Sequence, residues 1–257
     1  MRKQSPRFTK LVLTAFVLLF SLSVAGQKNR LSVNEYNRWK KYALKNDMYV
    51  SAYFGHGSYS MRNMSYMQRD LINDIGIDAR INSDFPPYWL YGVSIARKYD
   101  DIRFGMNLEN MSTGARSSLS DYSGQFYSDI VCKALKLGVF LEKDKWPLFR
   151  SKDKIMGGYR IEGGGLYNDI YIHQYAVLYD LLNGTVNQEI QLMSSTFYVE
   201  PALYASFGLG KQTYVQLSLG YMLNIPLEIN IYTETARKDY NVDWAGYRLR
   251  LAIVHQL

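Results

Sequence analysis

Cysteine, histidine and long apolar runs are scarce in this chain. Cys132 is the one cysteine among 257 residues, so no intrachain disulfide can form. The 3 histidines, His56, His173 and His255, stand far apart. With a single cysteine they offer no spacing that holds a metal, and no cofactor is expected. Beyond residue 26 no stretch carries 18 consecutive apolar residues. A transmembrane helix is therefore excluded from the body of the chain, since a span takes about 20.

Positive charge is abundant, but much of it lies at the start. The first ten residues, "MRKQSPRFTK", hold Arg2, Lys3, Arg7 and Lys10 and no acid. The apolar run "LVLTAFVLLFSLSVA" follows and closes on small residues at "SVAGQ". This three-part pattern predicts a secretory signal peptide over 1–26, cleaved between Ala25 and Gln27. The alternative, an N-terminal anchor, would need a longer apolar run. Without those four charges the formal net charge falls from +7 to +3, so nothing in it points to nucleic acid. An N-terminal segment, 27–47, comes next. Val33, Tyr36, Trp39, Tyr42 and Ala43 are spaced there for a short amphipathic helix, with Ser32 as its cap.

From residue 48 to 257 the pattern is two-fold, the mark of strands whose side chains alternate between faces. Eight strands are predicted, near 48–57, 88–98, 101–111, 122–142, 156–181, 186–208, 212–223 and 244–257. In the last, Tyr247, Leu249, Leu251, Ile253 and Leu257 share one face, and Gly246, Arg248, Arg250, Ala252 and Gln256 the other. Asn183-Gly184 marks a hairpin. Tight turns at Tyr99-Asp100 and Gly210-Lys211 contrast with long connections over 58–87, 112–121 and 224–242. The stretch 143–154 breaks that alternation of short and long. Within 63–77, Met64, Met67, Leu71 and Ile75 predict a short loop helix that caps the barrel mouth.

Alternation alone fits two arrangements: a soluble β-fold with one wet face, or a membrane barrel with lipid outside and polar residues inside. Export, an apolar final strand, and Tyr and Trp at strand ends (Tyr88, Trp89, Tyr221, Trp244, Tyr247) point to the second. The chain holds 23 tyrosines, which suits that reading. The expected fold is all-β: a closed antiparallel up-and-down transmembrane barrel of about 8 strands with two short helices.

The segments "GHGSYSMRNM", "FPPYWLYGVSI" and "STGARSSLSDYSG", with the terminal strand, resemble the small porin-like outer-membrane β-barrel proteins of Bacteroidetes-type bacteria. The terminal Leu257 departs from the usual aromatic end, and His255 from the usual lipid-side residue. The resemblance implies a bacterial outer-membrane location, with lipid and the barrel-assembly machinery as partners and, at the surface, an unidentified ligand or protein.

Eight strands make a barrel that side chains fill, so no large pore is expected. Arg103, Lys136, Arg160, Arg248 and Arg250 are predicted to face inward beside Glu109, Glu162 and Glu200, with Tyr198 and Tyr204 filling space. Strands over 156–181 and 186–208 exceed the roughly 9–11 residues a tilted span needs and are expected to project from the membrane. Arg116, Asp121, Tyr171, His173 and Tyr175 are the candidate surface-binding residues. Ser117, Ser118, Ser120 and Ser123, with His56, His173 and Asp169, raise the alternative of a lipid-modifying enzyme. No local motif brings a nucleophile to a base, so a non-catalytic protein is expected. A soluble periplasmic ligand-binding barrel is the other alternative.

Overall fold

A computed structural model describes residues 48–75, 79–99, 101–122, 124–147, 155–178, 184–209, 212–225, 228–232 and 237–257. The predicted signal peptide, the helix expected within 31–46, and Asn183 lie outside these residues. In chain order the elements are β1 (Met48–Gly57), α1 (Arg62–Ile75), β2 (Arg80–Ser83), β3 (Tyr88–Tyr99), β4 (Ile102–Asp121), β5 (Gly124–Pro147) and β6 (Ile155–Leu178). They continue with β7 (Gly184–Gly208), β8 (Thr213–Ile225), β9 (Glu228–Tyr232), β10 (Arg237–Asn241) and β11 (Gly246–Gln256).

Eight strands close a ring of antiparallel neighbours, in the order β1–β3–β4–β5–β6–β7–β8–β11 and back to β1. Closure leaves no free edge around the wall, so each strand finds backbone partners on both sides. The two ends of the ring meet on one rim, where the Leu257 amide donates to the Met48 carbonyl at 2.8 Å. The tight β3–β4 and β7–β8 connections sit on that same lower rim. At Pro201, which has no N–H to give, the β7–β8 ladder skips from Val199↔Leu223 to Ala202↔Gly220.

Parity decides the two faces. Tyr247 (63% exposed), Leu251 (37%) and Ile253 (60%) point outward, while Arg248 (0%) and Arg250 (6%) point inward. The same split holds on β8, where Leu217, Leu219 and Leu223 are exposed and Gln216 is buried, and on β7, where Phe197, Val199 and Leu203 oppose Tyr198, Glu200 and Tyr204. On β5 the outward side chains Leu135, Leu137, Val139 and Leu141 lie between Lys133 and Lys143. Ten residues at about 3.3 Å rise and a tilt of about 40° make an apolar belt ~25 Å tall.

Four wall strands outrun the closed ring. The β3–β4 ladder ends at Leu90↔Met111 and the β7–β8 ladder at Phe197↔Ile225. Beyond them β4, β5, β6 and β7 remain paired with one another up to Asp121↔Gly124 and Leu178↔Gly184. The projecting sheet therefore has four long strands, wider than the two seen in the sequence, and the short β2 adds to the edge of β4 at Arg80↔Ser118 and Ile81↔Ser117. This corrects the loop expected over 112–121. Those residues are the upper half of β4, in unbroken register with β5. Their small and polar side chains resemble a loop, but Thr113, Ala115 and Ser117 are buried on the inner face. The sequence 143–154 is also part strand: β5 continues to Pro147 through a register shift between Asp144 and Trp146.

The inner face of the projecting sheet carries its own core. Ile130, Cys132, Leu166, Ile170 and Ile172 pack in one cluster with Met61, Met64 and Met67, at the start of α1, and with Trp244. The buried residues of α1 recur at helical spacing, Met64, Met67, Gln68 and Ile72. Met61 and Phe85, both buried, hold left-handed backbone (φ 42° each) at the ends of the α1–β2 excursion. Two polar pairs sit in this core: Gln68 donates to Ser117 Oγ at 2.7 Å, and the Trp244 indole donates to Asn168 Oδ1 at 2.8 Å. α1 thus covers the inner face of the sheet above the ring.

Candidate functional site

Two sets of residues carry the chemistry of the molecule: the charges inside the ring and the outward face of the projecting sheet.

Inside, five cations (Arg103, Lys136, Arg160, Arg248, Arg250) and five carboxylates (Glu109, Glu142, Asp144, Glu162, Glu200) line the interior among the described residues. The central cluster joins β4, β5, β6, β7 and β11. Lys136 Nζ lies 2.6 Å from Glu162 Oε1, 2.7 Å from Glu200 Oε2 and 3.5 Å from Glu109 Oε1. Arg250 forks onto Glu109 (Nε to Oε2, 2.6 Å) and onto Glu200 (Nη2 to Oε2, 2.8 Å; Nη1 also meets Oε1). Arg160 reaches Glu162 at 2.5 Å, and Asn107 and the Tyr198 hydroxyl donate to the same carboxylate at 2.8 and 2.7 Å. Three cations thus face three carboxylates, with hydrogen bonds filling their lone pairs. That pairing is the condition for burying charge without a large penalty.

Two of the inward cations do not join that cluster. Arg103 forms a second one near the lower rim with Asp144 (3.0 Å) and Glu142 (3.6 Å), and its guanidinium bonds the Tyr204 and Tyr214 hydroxyls. Gln216 donates to Glu142 at 2.6 Å. Arg248, expected beside the glutamates, meets no carboxylate among the described residues. Its guanidinium donates to the carbonyls of Ser58 (2.5 Å), Tyr247 (2.9 Å) and Trp244 (2.6 Å) and lies 4.7 Å from the Tyr59 ring centroid. The reason is height: Arg248 is paired with Gly57, at the end of β1, where the chain leaves the wall, well above the level of the glutamates. Below, a cavity of about 10 Å³ beside Tyr49, Arg103 and Tyr214 is little more than the space of one water.

Outside, the register of the projecting sheet gathers residues that are distant in sequence. One row across it reads Arg116, Asp129, His173, Glu189. The next row up reads Ser118, Tyr127, Tyr175, Asn187, and the next down Gly114, Val131, Tyr171, Gln191. Arg116 grips Asp129 with two bonds of 2.6 Å. Tyr127 stacks on Tyr175 with centroids 5.0 Å apart, and His173 meets the Tyr127 ring edge-on at 5.4 Å. His173 Nε2 also bonds Asn187 Oδ1 at 2.9 Å. The Tyr171 hydroxyl donates to Asp169 at 2.5 Å, and Gln191 donates to both at 2.7 and 3.2 Å. Asp169, accepting that hydrogen bond, pushes the Tyr171 phenol above its ordinary pKa. Lys133 sits 5.3 Å over the Tyr171 ring, at the top of the apolar belt.

Four of the five candidate surface residues, Arg116, Tyr171, His173 and Tyr175, therefore share this face. Asp121 stands apart at the hairpin tip, where its carboxylate accepts from the Gly124 amide at 3.2 Å. Asp129, Tyr127, Glu189 and Gln191 were missed. Their outward parity is legible in sequence, but their neighbours become known only once the β4–β5 hairpin is placed at 121–124. Of the serines of the enzyme alternative, Ser117 bonds Gln68 and Ser118 bonds Asn82, while Ser123 lies outside the described residues.

No family model matches the chain, and no curated protein is significantly similar to it in sequence. Several solved structures share a related outline at low sequence identity. The outer membrane protein OprG from Pseudomonas aeruginosa matches over 82% of this chain and 96% of its own, at 10% identity and a TM-score of 0.41. The surface protein NspA of Neisseria matches over 82% and 97%, at 10% identity and 0.35. The outer membrane protein AlkL, solved in lipid bilayers, matches over 82% and 90%, at 12% identity and 0.35. The closed ring of this chain rests on its own strand ladders rather than on these likenesses.

Proposed function

We propose that the chain is an integral outer-membrane β-barrel of the small porin-like, Bacteroidetes-type class, exported by its N-terminal signal, with a sealed interior and a binding role at the cell surface. The observation that carries this reading is the outward apolar belt between Lys133 and Lys143, on a ring whose interior holds the ion pairs. Water would leave Leu135, Leu137, Val139, Leu141 and their neighbours exposed in a patch far larger than soluble monomers carry. Lipid accommodates it, and the ring satisfies every backbone group that lipid cannot. Tight turns on one rim and a projecting sheet on the other give the orientation: the sheet stands outside the cell.

The role is non-catalytic. The polar groups of the outer face are engaged with one another as a recognition surface, and the interior is filled by side chains that have partners. Fractionation of cells expressing the full chain tests the location: it should sediment with outer membranes, resist extraction by carbonate, and migrate differently on gels before and after boiling. Recovery in the soluble periplasmic fraction would refute the proposal in favour of a soluble barrel.

A further inference from the structure

The outward face of the projecting sheet runs without interruption into the apolar belt. Leu141, Val139, Leu137 and Leu135 give way on the same strand and the same side to Lys133 and then to Asp129 and Tyr127. Anything anchored in the outer leaflet beside β5 and β6 would rise along this face. Its chemistry is specific. Tyr127 and Tyr175 form a stacked pair, with Tyr171 exposed four residues lower on β6. Around these rings stand planar polar groups already fixed by their own bonds: the Arg116–Asp129 fork, and Asp169 with Gln191. Aromatic rings present an apolar face to the C–H side of a sugar, while carboxylates and amides take its hydroxyls.

Charge decides the kind of sugar. Arg116 is taken up by Asp129, and Lys133 stands over the Tyr171 ring in register with Asp169. Among the described residues the face has no cluster of uncommitted cations for phosphate or sulfate, which suit forked or clustered basic side chains. From this juxtaposition we propose that the face binds the neutral sugar chain of an outer-leaflet glycolipid, whose acyl chains lie against the belt below. The proposal rests on the membrane reading above and adds the class of ligand to it.

The test uses the full mature chain in lipid discs of phosphatidylethanolamine doped with equal small amounts of a maltotriosyl diacylglycerol and of phosphatidylglycerol. Lipid retained by the protein is read by native mass spectrometry. The maltotriosyl lipid should be enriched about tenfold over phosphatidylglycerol, equivalent to ~1.4 kcal/mol. Tyr175→Ala and Tyr171→Ala should remove the enrichment. Tyr175→Phe should keep it, because the stacking ring remains. Equal retention of phosphatidylglycerol, unchanged enrichment in both alanine variants, or displacement by an equal concentration of free maltotriose would each overturn the proposal. Heat-modifiable migration of every variant confirms that the barrel is folded. A wild-type chain that does not enter the discs refutes the membrane reading instead.

Discussion

Arg250 and Glu109 bond across the interior from strands that are not neighbours in the wall. Arg250 Nε on β11 lies 2.6 Å from Glu109 Oε2 on β4, and β1 and β3 stand between those strands. The pair spans the ring. Together with the contacts of Lys136 to Glu162 and Glu200, it ties five wall strands together at one level.

Removing Arg250 should therefore be costly. Arg250→Leu leaves Glu109 and Glu200 buried with Lys136 as their remaining cation, a loss of about 3–5 kcal/mol for a broken buried pair. Arg250→Lys keeps the charge but not the fork and should cost less. Urea unfolding in detergent or lipid, followed by gel mobility, measures both. Equal stability of Arg250→Leu and wild type would show that the cluster is dispensable.

The neighbouring outward residue should respond to the membrane rather than to the interior. Leu251→Arg places a charge in the belt and should cost ~2–4 kcal/mol near the midplane. The interior hydrogen bonds of Arg250 are untouched by it. The penalty should appear on insertion into bilayers and shrink in a detergent that wets the belt. A penalty identical in both would argue against a lipid-facing Leu251.

Two glycines on adjacent strands should behave oppositely. A Cβ on Gly138 would overlap the Tyr198 hydroxyl and lie 2.9 Å from Asn107 Oδ1. Gly138→Ala should thus disturb the bond from Tyr198 to Glu162 and cost about 1–3 kcal/mol, as overpacking does. A Cβ on Gly165 meets nothing within 4 Å. Gly165→Ala should be neutral or stabilise by roughly 0.5–1 kcal/mol, because glycine weakens a strand interior. Unfolding midpoints of the two variants check the contrast.

The interior should not conduct. With the central ion cluster, the Arg103 cluster and the Met61–Trp244 core stacked along the axis, the cavity found beside Arg103 measures about 10 Å³. Planar-bilayer recordings of the wild-type protein should show no stable open level. Reproducible large single-channel steps would contradict a sealed barrel.

What the sequence determined by itself is the face each side chain takes. A strand has a strict period of two, so Leu251 and Arg250 must part company whatever the strand pairs with. The strand positions near 48–57, 88–98 and 212–223 and the inward turn of Arg103, Glu109, Lys136, Glu200 and Arg250 all follow from that local rule, and the loop helix follows from the 3.6-residue period of its apolar residues. Partnership does not follow from it. That Arg103 meets Glu142 and Asp144, and that Arg248 meets carbonyls, depends on the height at which each strand is set against the next. Height is fixed by ladders between residues tens of positions apart. The upper half of β4 was read as a loop for the same reason. Ser112, Ser118 and Ser120 have weak strand preference alone; pairing with β5, and burial of Thr113, Ala115 and Ser117 on the opposite face, hold the stretch extended. The row Arg116, Asp129, His173, Glu189 exists only in the tertiary structure, because four strands must come into one register before those side chains become neighbours.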